Sequence, residues 1–419
     1  MSKFIIQGGK ELAGEVRISG SKNAALPIIA ATVLVKGKIT LYNVPNIQDV
    51  QTMFEIIRDI GGKVTKKNNK MIIDTSKINT YEIPENLMRK MRSSVILAGA
   101  IIGKYNKANF SYPGGCEIGS RPIDLHLKGF EKLGINIKEE YGEIICNAEK
   151  IEGTQIHLDF PSVGATENII LAACLAEGTT ILTNAAKEPE IEDMVKFLNK
   201  AGAKIRGAGT DRVEIIGVKK LFEISYNIMP DRIEAGTYLV AGAITGGNVK
   251  IINANPNHIE PILDKLEEAN CMLKIGKNCI ELKAPKRIKA VDIKTMPYPG
   301  FPTDMQSVFS AMLTTAKGTS IIVENIFENR FKYTQELNKM GAKITVEGKS
   351  AIIRGVRKLY GANVKATDLR GGAALVLAGL SAKGVTKVDD IEYILRGYEN
   401  FDKKLRNINA DIQMIDDKY

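Results

Sequence analysis

The feature that most constrains this chain is a sixfold internal repeat. A short helix-ending signature, apolar-small-small-x-apolar, occurs as IGGKV from Ile60, LGINI from Leu133, AGAKI from Ala201, ANCML from Ala269, MGAKI from Met340 and INADI from Ile408. Successive copies start 73, 68, 68, 71 and 68 residues apart. Segments such as DVQTMFEIIRDIG and EIEDMVKFLNKAG precede them, with apolar residues three and four apart, the spacing of a helix lying on a core. Glycine at the end of several copies is the usual stop of such a helix.

A second series interleaves with the first: SKNAALPIIAATVLVKG, RSSVILAGAIIG, SVGATENIILAACLAEG, DRIEAGTYLVAGAITGG, TDMQSVFSAMLTTAKG and DLRGGAALVLAGLSAKG. Alanine, glycine and serine on every side of a helix permit close approach all round, so these segments are expected to be buried central helices. Between them lie strand-like runs rich in β-branched residues, among them KITLYNV, NVKIINA and TSIIVENI. Helices needing cover on all sides do not suit a solenoid. Two α/β domains of three repeats each would let the helices cluster behind sheets, and 419 residues is a two- or three-domain length. The chain opens with two orphan strands, KFIIQGG and GEVRISG, and its last repeat is incomplete. The expected domains are therefore residues 22–229, and residues 1–21 joined to 230–419, with crossovers near residue 21 and at MPDR, Met229 to Arg232.

Composition narrows the function classes. With 44% apolar and 25% charged residues, disorder is not expected. A net charge of +10 suits anionic partners, but the basic residues are spread along the chain, which argues against nucleic acid. Five cysteines without a CxxC pair and only three histidines argue against a structural zinc site and fit reduced thiols. MSKFIIQGGK lacks a signal-peptide core, and no apolar run reaches the ~20 residues of a membrane span. A cytoplasmic protein is expected.

One stretch gathers reactive side chains. SYPGGCEIGSRPIDLHLKGF, Ser111 to Phe130, sets Cys116 behind a Pro-Gly-Gly turn and follows it with Arg121, Asp124 and His126. Such a turn continues neither a helix nor a central strand, so Cys116 is expected on an exposed loop. Most intracellular cysteines are small buried hydrophobes. A thiol among glycine and charge, near Arg121, instead fits an acid or a nucleophile.

The starts of the six apolar helices are the second clue. They carry Lys22 and Asn23, Arg92, Ser162 to Gly164, Asp231 and Arg232, Thr303 and Asp304, and Asp368 and Arg370. Helix N-termini hold unpaired donors and partial positive charge, and so bind anions. Ser162, Thr303 and Asp368, taken singly, are expected to be capping residues. Lys22, Arg92 and Arg370 oppose the dipole and are expected to be anion ligands in a cleft between the domains.

With these motifs in view, the chain resembles the enolpyruvyl transferases, in particular those acting on UDP-N-acetylglucosamine. The resemblance rests on SGSKNAALP at 19–27, GGCEIGSRPIDLH at 114–126, SVGATEN at 162–168, PDRIEAGT at 230–237, FPTDMQ at 301–306, ENRF at 328–331 and LRGYENF at 395–401, in order along the whole chain. It implies an inside-out α/β barrel in two domains of three repeats, in agreement with the independent count.

The resemblance also implies a reaction: carboxyvinyl transfer from phosphoenolpyruvate to the 3-hydroxyl of UDP-N-acetylglucosamine, with release of phosphate, at the first committed step of bacterial peptidoglycan precursor synthesis. Asp304 would be the base, effective if desolvated or poised in a closed cleft. Cys116 would be the acid, would form an adduct with phosphoenolpyruvate, and would be alkylated by fosfomycin-type inhibitors. Lys22, Arg121 and Arg396 would hold phosphate, with Arg370 near the carboxylate. The nucleotide sugar would lie across Asn23, Arg92, Arg121, Pro122, Ile123, Asp124, Leu125, Ser162, Val163, Gly164, Asp304 and Ile326. His126 fits either the diphosphate or a satisfied structural imidazole. Some family members carry lysine two residues before the serine of SVGAT, where this chain has Phe160, so diphosphate contacts there must differ.

Metal and organic cofactor are not called for, a monomer is expected, and Cys116 would ride on a lid hinged near Gly119. Two alternatives stand beside this function. One is 3-phosphoshikimate 1-carboxyvinyl transfer on the same fold, against which the GGCEIGSRPIDLH loop argues. The other is a non-catalytic repeat scaffold binding nucleotide or RNA.

Overall fold

The computed structural model describes residues 2–114 and 122–416. The chain divides into two compact units, changing over at Ser19/Gly20 and again at Met229/Pro230. Residues 20–114 and 122–229 belong to one unit, and residues 2–19 and 230–416 to the other.

Each unit repeats one theme three times, a small sheet backed by a buried helix and flanked by an amphipathic one. In the first unit the buried helices are Lys22–Ala31, Ile96–Tyr105 and Val163–Ala173. In the second they are Arg232–Thr245, Gln306–Leu313 and Leu369–Ser381. In the second unit the three pack on one another, and in the first Ile96–Tyr105 packs on both of the others. Small residues permit this: Gly99 lies so near the Lys22-unit's third helix that a β-carbon there would fall 2.4 Å from the Asn168 carbonyl oxygen. The amphipathic helices Gln48–Asp59, Pro189–Lys200 and Glu260–Glu268 turn one apolar face to the core.

Among the described residues there are five four-stranded sheets and one three-stranded sheet, and none closes into a barrel. The architecture is the expected α/β one, with helices inside and sheets around them. Strand Ser2–Gln7 runs antiparallel between Val385–Asp389 and Asp411–Asp416, pairing Phe4 with both Val388 and Met414. Strand Ala13–Arg17 lies parallel to Asn248–Ile252, with Val16 opposite Ile251. Phe4, Ile6 and Val16 thus enter the core of the second unit. Strand Ser225–Asn227 pairs in parallel with Lys38–Tyr42 and closes the first unit's own sheet.

Candidate active site

In the first unit the expected site residues stand at the starts of the buried helices. Ser21 caps the first, accepting from the Ala24 amide at 3.3 Å, and so fixes Lys22 and Asn23 in the opening turn. Lys22 Nζ lies 2.8 Å from Asp49 Oδ2, with both side chains largely buried. A cation that opposes the helix dipole is therefore offset by an internal carboxylate. Arg92 opens the 3-10 turn Arg92–Val95 before the second helix. Ser162 caps the third helix through the Ala165 amide at 3.3 Å, as expected, and places Val163 and Gly164 in its first turn.

His126 has the buried partner that a satisfied imidazole needs. It sits in the first turn of Asp124–Lys132 and is buried. Asn168 Nδ2, 2.7 Å away, can only donate, so His126 Nδ1 accepts and the ring proton is on Nε2. Asn168 also donates to the Val95 carbonyl at 3.0 Å and accepts from the Gly99 amide at 2.8 Å. One buried amide thus ties together the Arg92 turn, the second buried helix and the His126 helix. The Cε1–Nε2 edge faces Gly164, where a β-carbon would stand 3.1 Å from Cε1, so a side chain there would press on the ring. Burial, then the nearby Arg92 charge, pushes the imidazole down to about 4, so it is neutral at pH 7. Of its neighbours, Ile123 is buried, Leu125 is half-buried, and Pro122 and Asp124 are exposed. Cys116, Arg121 and the expected hinge near Gly119 lie outside the described residues.

In the second unit the site is built around one carboxylate. Asp304 sits in the 3-10 turn Thr303–Met305 ahead of the fifth buried helix. Its Oδ1 accepts from Arg330 Nη2 at 2.8 Å, and its Oδ2 accepts from Arg370 Nη2 at 3.1 Å and Nε at 3.3 Å. Both guanidiniums are almost wholly buried, whereas Asp304 keeps about a quarter of its side chain exposed. Arg370 rides on the first turn of Leu369–Ser381, where Asp368 caps by accepting from the Arg370 and Gly371 amides. It lies over the Tyr398 ring, 5.1 Å from the centroid, and Tyr398 Oη meets Thr237 Oγ1 at 2.9 Å. Arg396 ends the short helix Glu392–Leu395. There Gly397 packs so closely on Leu369 that a β-carbon would fall 2.4 Å from its Cδ1, which seats this segment at the start of the sixth helix.

Thr303 departs from expectation. Its hydroxyl makes no capping bond; it donates to Glu324 Oε2 at 2.8 Å and accepts from Arg330 Nη1 at 2.9 Å. The turn before this helix is tied by these side chains as well as by its own backbone bond from the Met305 amide to the Pro302 carbonyl at 3.0 Å. Ile326 follows Glu324, which accepts from the Ile326 amide at 2.8 Å.

Several side chains here escaped the sequence reading. Arg330 lies inside ENRF, a motif that carries the resemblance as a whole and does not single out its arginine. Asp49 falls in an amphipathic helix whose polar residues read as surface, and Glu324 and Asn168 fall in apolar runs. Burial, which no single-residue pattern reports, is what marks all four.

A family model for EPSP synthase (3-phosphoshikimate 1-carboxyvinyltransferase) matches residues 6–405. The chain is 55% identical over 416 residues to UDP-N-acetylglucosamine 1-carboxyvinyltransferase 2 of Caldanaerobacter subterraneus subsp. tengcongensis, covering 99% of this chain and 100% of that protein. It is 48% identical over 415 residues to UDP-N-acetylglucosamine 1-carboxyvinyltransferase of Geobacter metallireducens, covering 99% and 100%. Among solved structures, the enolpyruvyl transferase NikO from Streptomyces tendae superposes with a TM-score of 0.89 at 24% identity, covering 99% of both chains. EPSP synthase from Acinetobacter baumannii superposes with a TM-score of 0.77 at 18% identity, covering 99% of this chain and 100% of that one. The two structural likenesses bear on the fold alone.

Proposed function

The chain belongs to the EPSP synthase family of enolpyruvyl transferases, and we propose that it moves the carboxyvinyl group of phosphoenolpyruvate onto the 3-hydroxyl of UDP-N-acetylglucosamine, releasing phosphate. The observation that carries the chemistry is the Arg330–Asp304–Arg370 group, a carboxylate at the start of a helix with two buried guanidiniums on it. The nucleotide sugar as acceptor follows from the near-full-length likeness to enzymes of that name.

In the addition step Asp304 takes the proton of the sugar hydroxyl, the sugar oxygen bonds to carbon 2 of phosphoenolpyruvate, and Cys116 protonates carbon 3. In the elimination step carbon 3 gives a proton back to the Cys116 thiolate, its electrons form the double bond between carbons 2 and 3, and phosphate leaves with the electron pair of the bond from carbon 2 to its oxygen. Three guanidinium hydrogen bonds, one from Arg330 and two from Arg370, occupy the lone pairs a base must use. The carboxylate of phosphoenolpyruvate is a rival acceptor for Arg370 and Arg330, whose planar forks suit it. Its arrival frees an Asp304 oxygen for the hydroxyl. Lys22, Arg121 and Arg396 hold the phosphate, offsetting the charge that develops as it leaves.

On the nucleotide side, Asn23, Arg92, Arg121 to Leu125, Ser162 to Gly164 and Ile326 contact UDP-N-acetylglucosamine. His126, neutral, turns its Cε1–Nε2 edge to Gly164 and braces the Ser162 loop. Cys116 is the residue alkylated by fosfomycin-type epoxides. The protein works as a monomer in the bacterial cytoplasm at the entry to peptidoglycan precursor synthesis. The test is product mass: with both substrates the nucleotide sugar should gain one carboxyvinyl unit, and an unchanged nucleotide sugar contradicts the proposal.

A further inference from the structure

The base, Asp304, is held by Arg330, and what holds Arg330 is a second carboxylate buried behind it. Glu324 is 1% exposed and directly follows the strand Thr319–Val323. Its Oε1 accepts from the Ile326 amide at 2.8 Å, the Phe327 amide at 3.1 Å and the Thr295 hydroxyl at 2.9 Å. Its Oε2 accepts from the Thr303 hydroxyl at 2.8 Å. All four partners are donors, an arrangement that suits a carboxylate and that an amide cannot reproduce.

Both ends of this carboxylate lead to Arg330. A threonine hydroxyl has one proton; given to Glu324, it leaves the lone pairs facing Arg330 Nη1 at 2.9 Å. On the other side, the Phe327 whose amide Glu324 fixes presents its ring under the Arg330 guanidinium, 5.2 Å from the centroid. One partner sets the plane of the guanidinium and the other its rotation within that plane. The remaining fork position, Nη2, then falls 2.8 Å from Asp304 Oδ1.

We infer that Glu324 is a positioning residue for the transfer reaction, acting through Thr303 and Phe327 on Arg330 and so on the base Asp304. Through the Ile326 amide it also fixes the loop expected against the nucleotide sugar. This inference rests on the function proposed above. A glutamine at 324 has one acceptor oxygen. Its amide group must face either the two backbone donors or Thr303, and in the second case the hydroxyl proton loses its acceptor.

The test uses the full-length protein with phosphoenolpyruvate and UDP-N-acetylglucosamine. Thr303→Val removes only the branch toward Arg330 and should lower kcat roughly 10- to 100-fold, the scale of a small misplacement at a reacting centre. The KM for the nucleotide sugar should stay within a factor of about three, because the backbone grip on Ile326 and Phe327 is untouched. Thr303→Ser keeps the hydroxyl and should restore kcat. Glu324→Gln should lose kcat and raise that KM together; if it fails to fold, the Thr303 pair still decides. A folded Thr303→Val with kcat within about twofold of an active parent overturns the positioning role. A parent that transfers no carboxyvinyl group overturns instead the function on which the inference rests.

Discussion

Arg330 and Arg370 meet on opposite oxygens of one carboxylate, Asp304 Oδ1 at 2.8 Å and Oδ2 at 3.1 Å. They come from different repeats, one from the segment after strand Thr319–Val323 and the other from the first turn of the sixth buried helix. Neither is a surface arginine, since their side chains are 3% and 4% exposed. Two buried cations on one partly open anion form a group that a second anion can enter.

Arg330→Lys keeps the charge and loses the fork that reaches Thr303 and Asp304 together. We expect kcat to fall about 100-fold and stability to fall by about 2 kcal/mol, less than for a fully buried pair because Asp304 is partly solvated. Steady-state kinetics and the urea midpoint read the two effects separately, and a wild-type kcat would remove Arg330 from the site.

Asp304→Ala should still bind UDP-N-acetylglucosamine, since the other contacts remain. Phosphate release should slow by about 100-fold or more, the usual contribution of a general base. Calorimetry for binding and stopped assays for phosphate check the pair. Near-normal turnover would mean that another group takes the hydroxyl proton.

Cys116→Asp replaces a thiol acid by a carboxylic acid, which can also protonate carbon 3. Part of the activity should survive, while labelling by fosfomycin disappears. Intact mass after incubation with the inhibitor reads the label, and its persistence would point to a different thiol. Among the others, Cys146, Cys174 and Cys271 are buried, with burial pushing each thiol up to about 12, which disfavours the nucleophilic thiolate.

His126 makes stability depend on pH. Its folded value of about 4 lies below the ~6.5 of an unfolded imidazole, so between them the unfolded chain binds a proton that the folded one refuses. The contribution is complete above the unfolded value, shrinks as pH falls toward the folded one, and levels off below it. From pH 7 to pH 5 this amounts to about 2 kcal/mol. Glu234, which burial raises to about 7, acts in the opposite direction. It is common to wild type and His126→Asn, so the difference between their urea midpoints at the two pH values isolates His126. Equal losses in both proteins would contradict the assignment.

The repeat was legible because it is periodic: small residues on every side of six helices announce burial, and strands Ser2–Gln7 and Ala13–Arg17 stood out as orphans. Lys22, Asp304 and Arg370 were legible because they open those helices. Thr303 was misread as a cap because capping is a local rule, whereas its hydroxyl is taken up by Glu324 and Arg330, 21 and 27 residues away. Asn168 and Glu324 look like stray polar residues in apolar runs, and only tertiary contact shows four donors converging on Glu324. Asp49 was hidden for the same reason, since a helix pattern does not say which polar residue turns inward to Lys22.

The central claim is carboxyvinyl transfer to a nucleotide sugar, and phosphate release tests it most directly. Purified protein and phosphoenolpyruvate are mixed with UDP-N-acetylglucosamine in one vessel and shikimate 3-phosphate in another, with Asp304→Ala run beside each. Release should depend on UDP-N-acetylglucosamine and collapse in the variant. Release with shikimate 3-phosphate alone, or with neither acceptor, would contradict it.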